Sequence, residues 1–145
     1  MERTTNAEKL IAYAFTNRDL LKEALVAAGS REVKNVDIRH DGANKGLAMV
    51  GDALIRLIIV DEWFSGQETR AKCEATVQKL ACNEHLSTQG HEANVDSDIF
   101  KATSQKGVVA VTTMATTVEA IIGAAWYDSG KTFEVVHSIV KKAIE

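Results

Sequence analysis

The sequence predicts an all-α protein. Apolar residues recur at three- and four-residue spacing in most segments. Proline is absent from all 145 residues, so nothing interrupts a long helix. The longest apolar element, residues 44–65, is too long for an ordinary strand. Hydrophobic residues make up 46% and charged residues 26%. That balance is globular and excludes a disordered, collagenous or low-complexity chain. A chain of this size fits one domain, 1–145, able to bury a sizeable core unaided.

Each element has a local reason. Residues 6–14 carry Leu10, Ile11 and Ala14 at helical spacing, with Asn6 as the expected cap. Asn17 caps a second helix whose stripe is Leu20, Leu21, Ala24, Leu25 and Ala28, and Gly29 stops it. Residues 30–43 are polar and aperiodic, a predicted loop. The main element, 44–65, shows apolar residues on nearly every face, the pattern of a buried central helix, and Gly66 ends it. Residues 69–80 and 83–88 predict two further helices, the second closed by Gly90. Residues 91–111 are irregular, with a β-like run at 108–111. Helices are expected again at 113–127, stopped by Asp128-Ser129-Gly130, and at 132–144, striped by Phe133, Val136, Val140 and Ile144.

Two segments carry the candidate chemistry. In the first, Asn44 to Ile55, Asp52 sits within the most apolar helix. An ionised carboxylate buried there costs several kcal/mol unless paired or metal-bound. Arg56, four residues on, offers an ion pair; the other reading is a metal ligand or a general base beside one. In the second, Thr116 and Glu119 have the spacing of a capping box, so Glu119 is either a helix-start carboxylate or a ligand. Gly123 within that helix points to a close helix–helix approach.

At these residues the chain resembles the ribonuclease III domain family. Gly51-Asp52-Ala53-Leu54, after Asn44 and Leu47, is similar to the family signature N-E-R-L-E-F-L-G-D-A-x-L. Thr117-Val118-Glu119-Ala120 through Gly123-Ala124, then Asp128-Ser129-Gly130, resembles its second motif, D-x-x-E-A-x-x-G-A followed by D-x-G. Tyr13, Phe15, Asn17, Leu20, Leu21, Ala24 and Leu25 match a third block, Y-x-F-x-N-x-x-L-L-x-x-A-L. The blocks run in family order over nearly the whole chain.

The resemblance implies a fold of about seven helices that homodimerises. It also implies cleavage of double-stranded RNA with two divalent ions, Mg²⁺ or Mn²⁺, roughly 4 Å apart. Such an ion pair needs several negative oxygens against its own repulsion, and the family supplies four acidic ligands, two from each motif. Here Ala48 and Thr116 occupy two of those positions, leaving Asp52 and Glu119 as the catalytic and metal residues, and Lys45 replaces a further acidic position. Alanine offers no oxygen and threonine only a neutral hydroxyl. Glu68, near the start of the neighbouring helix, is a possible stand-in. The expectation is a degenerate two-metal site, weak or inactive as an endonuclease. The alternative is a catalytically dead dimeric scaffold or ribosome-associated protein.

The remaining features are bland. The net charge of −3 and the pI of about 5.8 imply no basic face, and Arg70, Lys72 and Lys79 read as a solvated helix side, so duplex-RNA affinity is expected to be weak. The family's separate RNA-binding domain has no counterpart before Glu145. Cys73 and Cys82 lack any metal spacing and read as reduced thiols of an intracellular compartment. His40, His85, His91 and His137 show no ligand spacing, Trp63 and Trp126 read as packing residues, and neither a signal peptide nor a membrane span is visible.

Overall fold

The computed structural model describes residues 3–30 and 42–145, so the expected loop at 30–43, and His40 with it, lies almost wholly outside the described residues. Among the described residues seven α-helices follow one another: α1 (Asn6–Ile11), α2 (Arg18–Ala24), α3 (Lys45–Phe64), α4 (Arg70–Ala81), α5 (Asn83–Glu92), α6 (Val111–Asp128) and α7 (Phe133–Ile144). A 3₁₀ turn, Val95–Asp98, precedes α6. Among the described residues there is no strand, only an isolated parallel bridge between Val26 and Phe100.

Several ends differ from the sequence expectation, each for a local reason. Thr5, not Asn6, caps α1, and with Glu8 it closes a reciprocal capping box. Ala12 turns left-handed at φ 52°, so α1 stops short of residue 14. α2 ends at Ala24 because the following backbone bonds elsewhere: Phe100 N donates to Leu25 O at 2.8 Å, and Ala27 N to Phe100 O at 3.0 Å. α5 runs through Gly90 rather than stopping there. A Cβ at Gly90 would stand 2.4 Å from Met114 Sδ, so this glycine serves close packing on α6. The expected β-like run at 108–111 is not a strand; Val111 opens α6.

The most enclosed element is α6, not α3. Met114, Ala115, Val118, Ala120, Ile121, Ile122, Ala124 and Ala125 are all fully buried, and α1, α2, α3, α5 and α7 pack around them. α3 is central but keeps one apolar stripe in solvent: Met49, Leu57 and Phe64 are 76%, 49% and 81% exposed. Expectation and structure part here because α3 has one face that no other helix among the described residues covers.

Two carboxylates fasten the N-terminal segment. Glu8, 2% exposed, accepts from Thr5 N, Phe15 N (2.8 Å) and the Arg18 guanidinium (2.7 Å). Burial alone would raise its pKa, but these donors outweigh it and hold the group below the ordinary carboxylate value. Asp128, the last residue of α6, accepts from the Tyr13 hydroxyl (2.6 Å), Thr16 N (2.9 Å) and Asn17 N (2.7 Å). It therefore does more than mark a helix stop: it ties the first sequence block to the end of the second motif.

A candidate active site where α3 crosses α6

α3 and α6 cross with their backbones in contact. A Cβ at Gly51 would lie 1.8 Å from the Glu119 carbonyl oxygen, and one at Gly123 would lie 2.2 Å from the Leu47 carbonyl oxygen. Only hydrogen fits at either position. The close approach expected at Gly123 is present, and Gly51 is its counterpart on α3. Asn44 fixes the start of α3 in the same region. Its side-chain amide donates to Ala24 O (2.9 Å) and Thr117 Oγ1 (3.2 Å).

The crossing brings Asp52 and Glu119 side by side. They line an open recess together with Lys45, Ala48, Met49 and Thr116. Asp52 is exposed rather than buried in apolar surroundings, so the desolvation penalty inferred from its sequence neighbours does not arise. Glu119 is half-buried, and its pKa is pushed up to about 8: burial is the largest cause, followed by its hydrogen bond to Asp52 and the Asp52 charge. Glu119 therefore holds its proton near neutral pH.

The structure corrects three further expectations. Arg56 faces Glu74 of α4 at 3.8 Å, both well exposed, so the ion pair recorded for it is not with Asp52. Thr116 and Glu119 form no capping box: α6 begins five residues before Thr116, after Ala110. Glu68 lies past the far end of α3, where its carbonyl accepts from Trp63 Nε1 and its side chain lines a different cavity. Asp52 and Phe64 are twelve residues apart, roughly 18 Å along the helix, so Glu68 does not join Asp52 within this chain. Among the described residues no group of three His, Cys, Asp or Glu side chains could hold a metal ion. The sequence reading missed the structural roles of Glu8 and Asn44; the Thr5-x-x-Glu8 spacing was the available signal for the first.

The ribonuclease III domain description matches residues 45–130, which take in both α3 and α6. The chain belongs to the ribonuclease III domain family. Ribonuclease 3 of Rickettsia rickettsii is 26% identical over 98% of this chain and 63% of that protein. Ribonuclease 3 of Carboxydothermus hydrogenoformans is 28% identical over 89% of this chain and 56% of that protein. The chain thus spans under two thirds of the length of these relatives. Two structures of the nuclease domain of Campylobacter jejuni ribonuclease III superpose with TM-scores of 0.81 and 0.77, at 20% and 21% identity. The matches cover 99% and 100% of this chain and 96% and 95% of those chains. The fold is that of a ribonuclease III nuclease domain, and Asp52 and Glu119 stand on α3 and α6, both within the matched residues.

Proposed function

We propose that residues 1–145 form a ribonuclease III-type domain that engages double-stranded RNA as a homodimer. Its two-metal site is reduced to Asp52 and Glu119, and phosphodiester hydrolysis is slow or absent. The composition of the recess carries this reading: two carboxylates, an alanine and a threonine stand where the resemblance asks for four carboxylates.

The donor set fits one divalent ion better than two. Asp52 and Glu119 would hold Mg²⁺ or Mn²⁺, with the Thr116 hydroxyl as a weak neutral neighbour. A bound ion would supply Lewis-acid stabilisation of a phosphoryl oxygen and a lowered pKa for a bound water. Among the described residues a second ion finds no further carboxylate in the recess and meets the positive charge of Lys45, so its repulsion with the first is poorly offset. The proton held by Glu119 near neutral pH also competes with an ion for the pair.

The α3 stripe supports the dimer. At 100° per residue, Met49, Ala53, Leu57, Val60 and Phe64 fall within about 80° of one another. Exposed apolar residues concentrated on one face of a helix mark an association surface, and a two-fold axis lets a second copy cover it with the same face. Among the described residues no helix is long and apolar enough to cross a membrane.

The deciding measurement is cleavage of a long RNA duplex in Mg²⁺ and in Mn²⁺, with Asp52→Asn as control. The expected result is very slow or no cleavage in Mg²⁺ and at most a trace in Mn²⁺, lost in Asp52→Asn. Duplex binding with no cleavage in either metal would favour the dimeric scaffold over a residual nuclease. Efficient Mg²⁺ cleavage that Asp52→Asn abolishes would overturn the degenerate-site reading.

A further inference from the structure

Asn44 stands at the cap position of α3, where an asparagine side chain ordinarily bonds the first free N–H groups of its helix. Here it makes no such bond. The side chain turns inward instead, 2% exposed, and its amide donates to Ala24 O at the end of α2 (2.9 Å) and to Thr117 Oγ1 of α6 (3.2 Å). Thr117 is fully buried, and its hydroxyl donates in turn to Thr113 O (2.8 Å), one turn back on α6. The main chain of Asn44 is bound as well. Its N–H donates to Val26 O (3.0 Å), and its carbonyl accepts from Ala48 N (3.0 Å). One residue thus joins α2, α3 and α6 without capping its own helix.

The Asn44–Thr117 bond sits behind the carboxylate recess. Lys45 and Ala48, which line the recess from α3, follow Asn44 directly and one turn on; Thr116 and Glu119, which line it from α6, flank Thr117. The bond therefore ties the two walls of the recess together. The contacts at Gly51 and Gly123 set how near the helices come, but packing contacts carry no direction and let the crossing angle swing. Asn44 lies about 10 Å along α3 from Gly51, so a directional bond there has the leverage to hold that angle. We propose that Asn44, acting through Thr117, is a positioning residue: it fixes the angle between α3 and α6 and thereby the width of the recess between Ala48 and Thr116. The positioning stands on the hydrogen bonds; its bearing on a bound divalent ion rests on the proposed function.

The test separates the hydroxyl of Thr117 from its bulk. Thr117→Val keeps the volume and loses the hydroxyl, whereas Thr117→Ser keeps the hydroxyl and loses the methyl. Amide NMR spectra of the metal-free chain are compared for unmodified protein and both variants, with a thermal melt of each to establish folding. Thr117→Val is expected to shift Lys45, Gly46 and Ala48, across the gap on α3, more than Gly51 and Gly123 at the crossing. Thr117→Ser is expected to leave all of them near their original positions. Mn²⁺ calorimetry should then show affinity at least threefold weaker in Thr117→Val and restored in Thr117→Ser. A packing role would give the reverse order, with Thr117→Ser the more perturbed. That order, or α3 amides indifferent to Thr117→Val, would overturn the proposal. Should Thr117→Val fail to fold, Thr117→Ala set against Thr117→Ser isolates the hydroxyl. If the unmodified protein binds no Mn²⁺, the metal reading falls and the amide shifts alone decide the positioning. The expected shifts with equal Mn²⁺ affinity in all three proteins would uphold the positioning and remove its bearing on the ion.

Discussion

Gly51 faces the carbonyl of Glu119 so closely that a methyl group on Gly51 would stand 1.8 Å from that oxygen. Backbone meets backbone there, so neither partner has a flexible end that yields. Gly51→Ala must push α3 and α6 apart, and overpacking of this kind costs on the order of 1–3 kcal/mol or more. Urea denaturation should register that loss. Gly123→Ala, 2.2 Å from the Leu47 carbonyl, should behave alike, and the double variant should depart from additivity because both substitutions open one crossing.

On the proposed reading, adding carboxylates to the recess should raise metal affinity. Ala48 and Thr116 line the same recess as Asp52 and Glu119, so Ala48→Glu with Thr116→Asp adds two negative groups where two stand. Calorimetry with Mn²⁺ should show tighter binding in the double variant than in the unmodified protein. Equal affinities would mean that the added side chains do not reach the ion.

Glu119 should titrate near pH 8 in metal-free protein, visible as the carboxyl ¹³C shift. Because its folded pKa lies above the ordinary carboxylate value, its contribution to stability is full at acid pH and is lost as pH rises through about 8. Asp52→Asn removes the neighbouring charge and should move the midpoint down. A midpoint in the usual carboxylate range, near pH 4, would show that the two groups do not meet.

Glu8 and Asp128 act in the opposite sense. Burial raises both, but the donors on Thr5, Phe15 and Arg18, and on Tyr13, Thr16 and Asn17, lower them further than burial raises them. Their stabilisation is complete above the ordinary carboxylate pKa and is lost as pH falls through the lowered values, so the melting temperature should drop below about pH 4. Asp128→Ala strands three donors and should cost about 2 kcal/mol at neutral pH. It should cost less at pH 3.

Charge placed on the α3 stripe should break the proposed dimer and spare the fold. Leu57 and Phe64 are 49% and 81% exposed, so Leu57→Glu or Phe64→Glu removes little packing within the chain. Sedimentation at micromolar concentration should give a dimer for the unmodified protein and a monomer for either variant, with unchanged melting of the isolated fold.

The sequence by itself determined which helices form and which family they build. The periodic stripes, the Asn17 cap and the paired motifs around Asp52 and Glu119 are local or linear signals, and a helix reads them from its own neighbours. Tertiary structure decided what linear pattern cannot carry. Gly90 looked like a stop until Met114 packed on it, and Thr116-x-x-Glu119 looked like a cap until α6 proved to begin at Val111. Arg56, four residues from Asp52, turned to Glu74 on another helix. The apolar circumference of α3 could not say which face stays in solvent, because that depends on where α6 and its neighbours sit. The pairing of Asp52 with Glu119, 67 positions apart, follows from the two glycines that let the backbones touch; each is visible alone, but only the crossing shows that they act together.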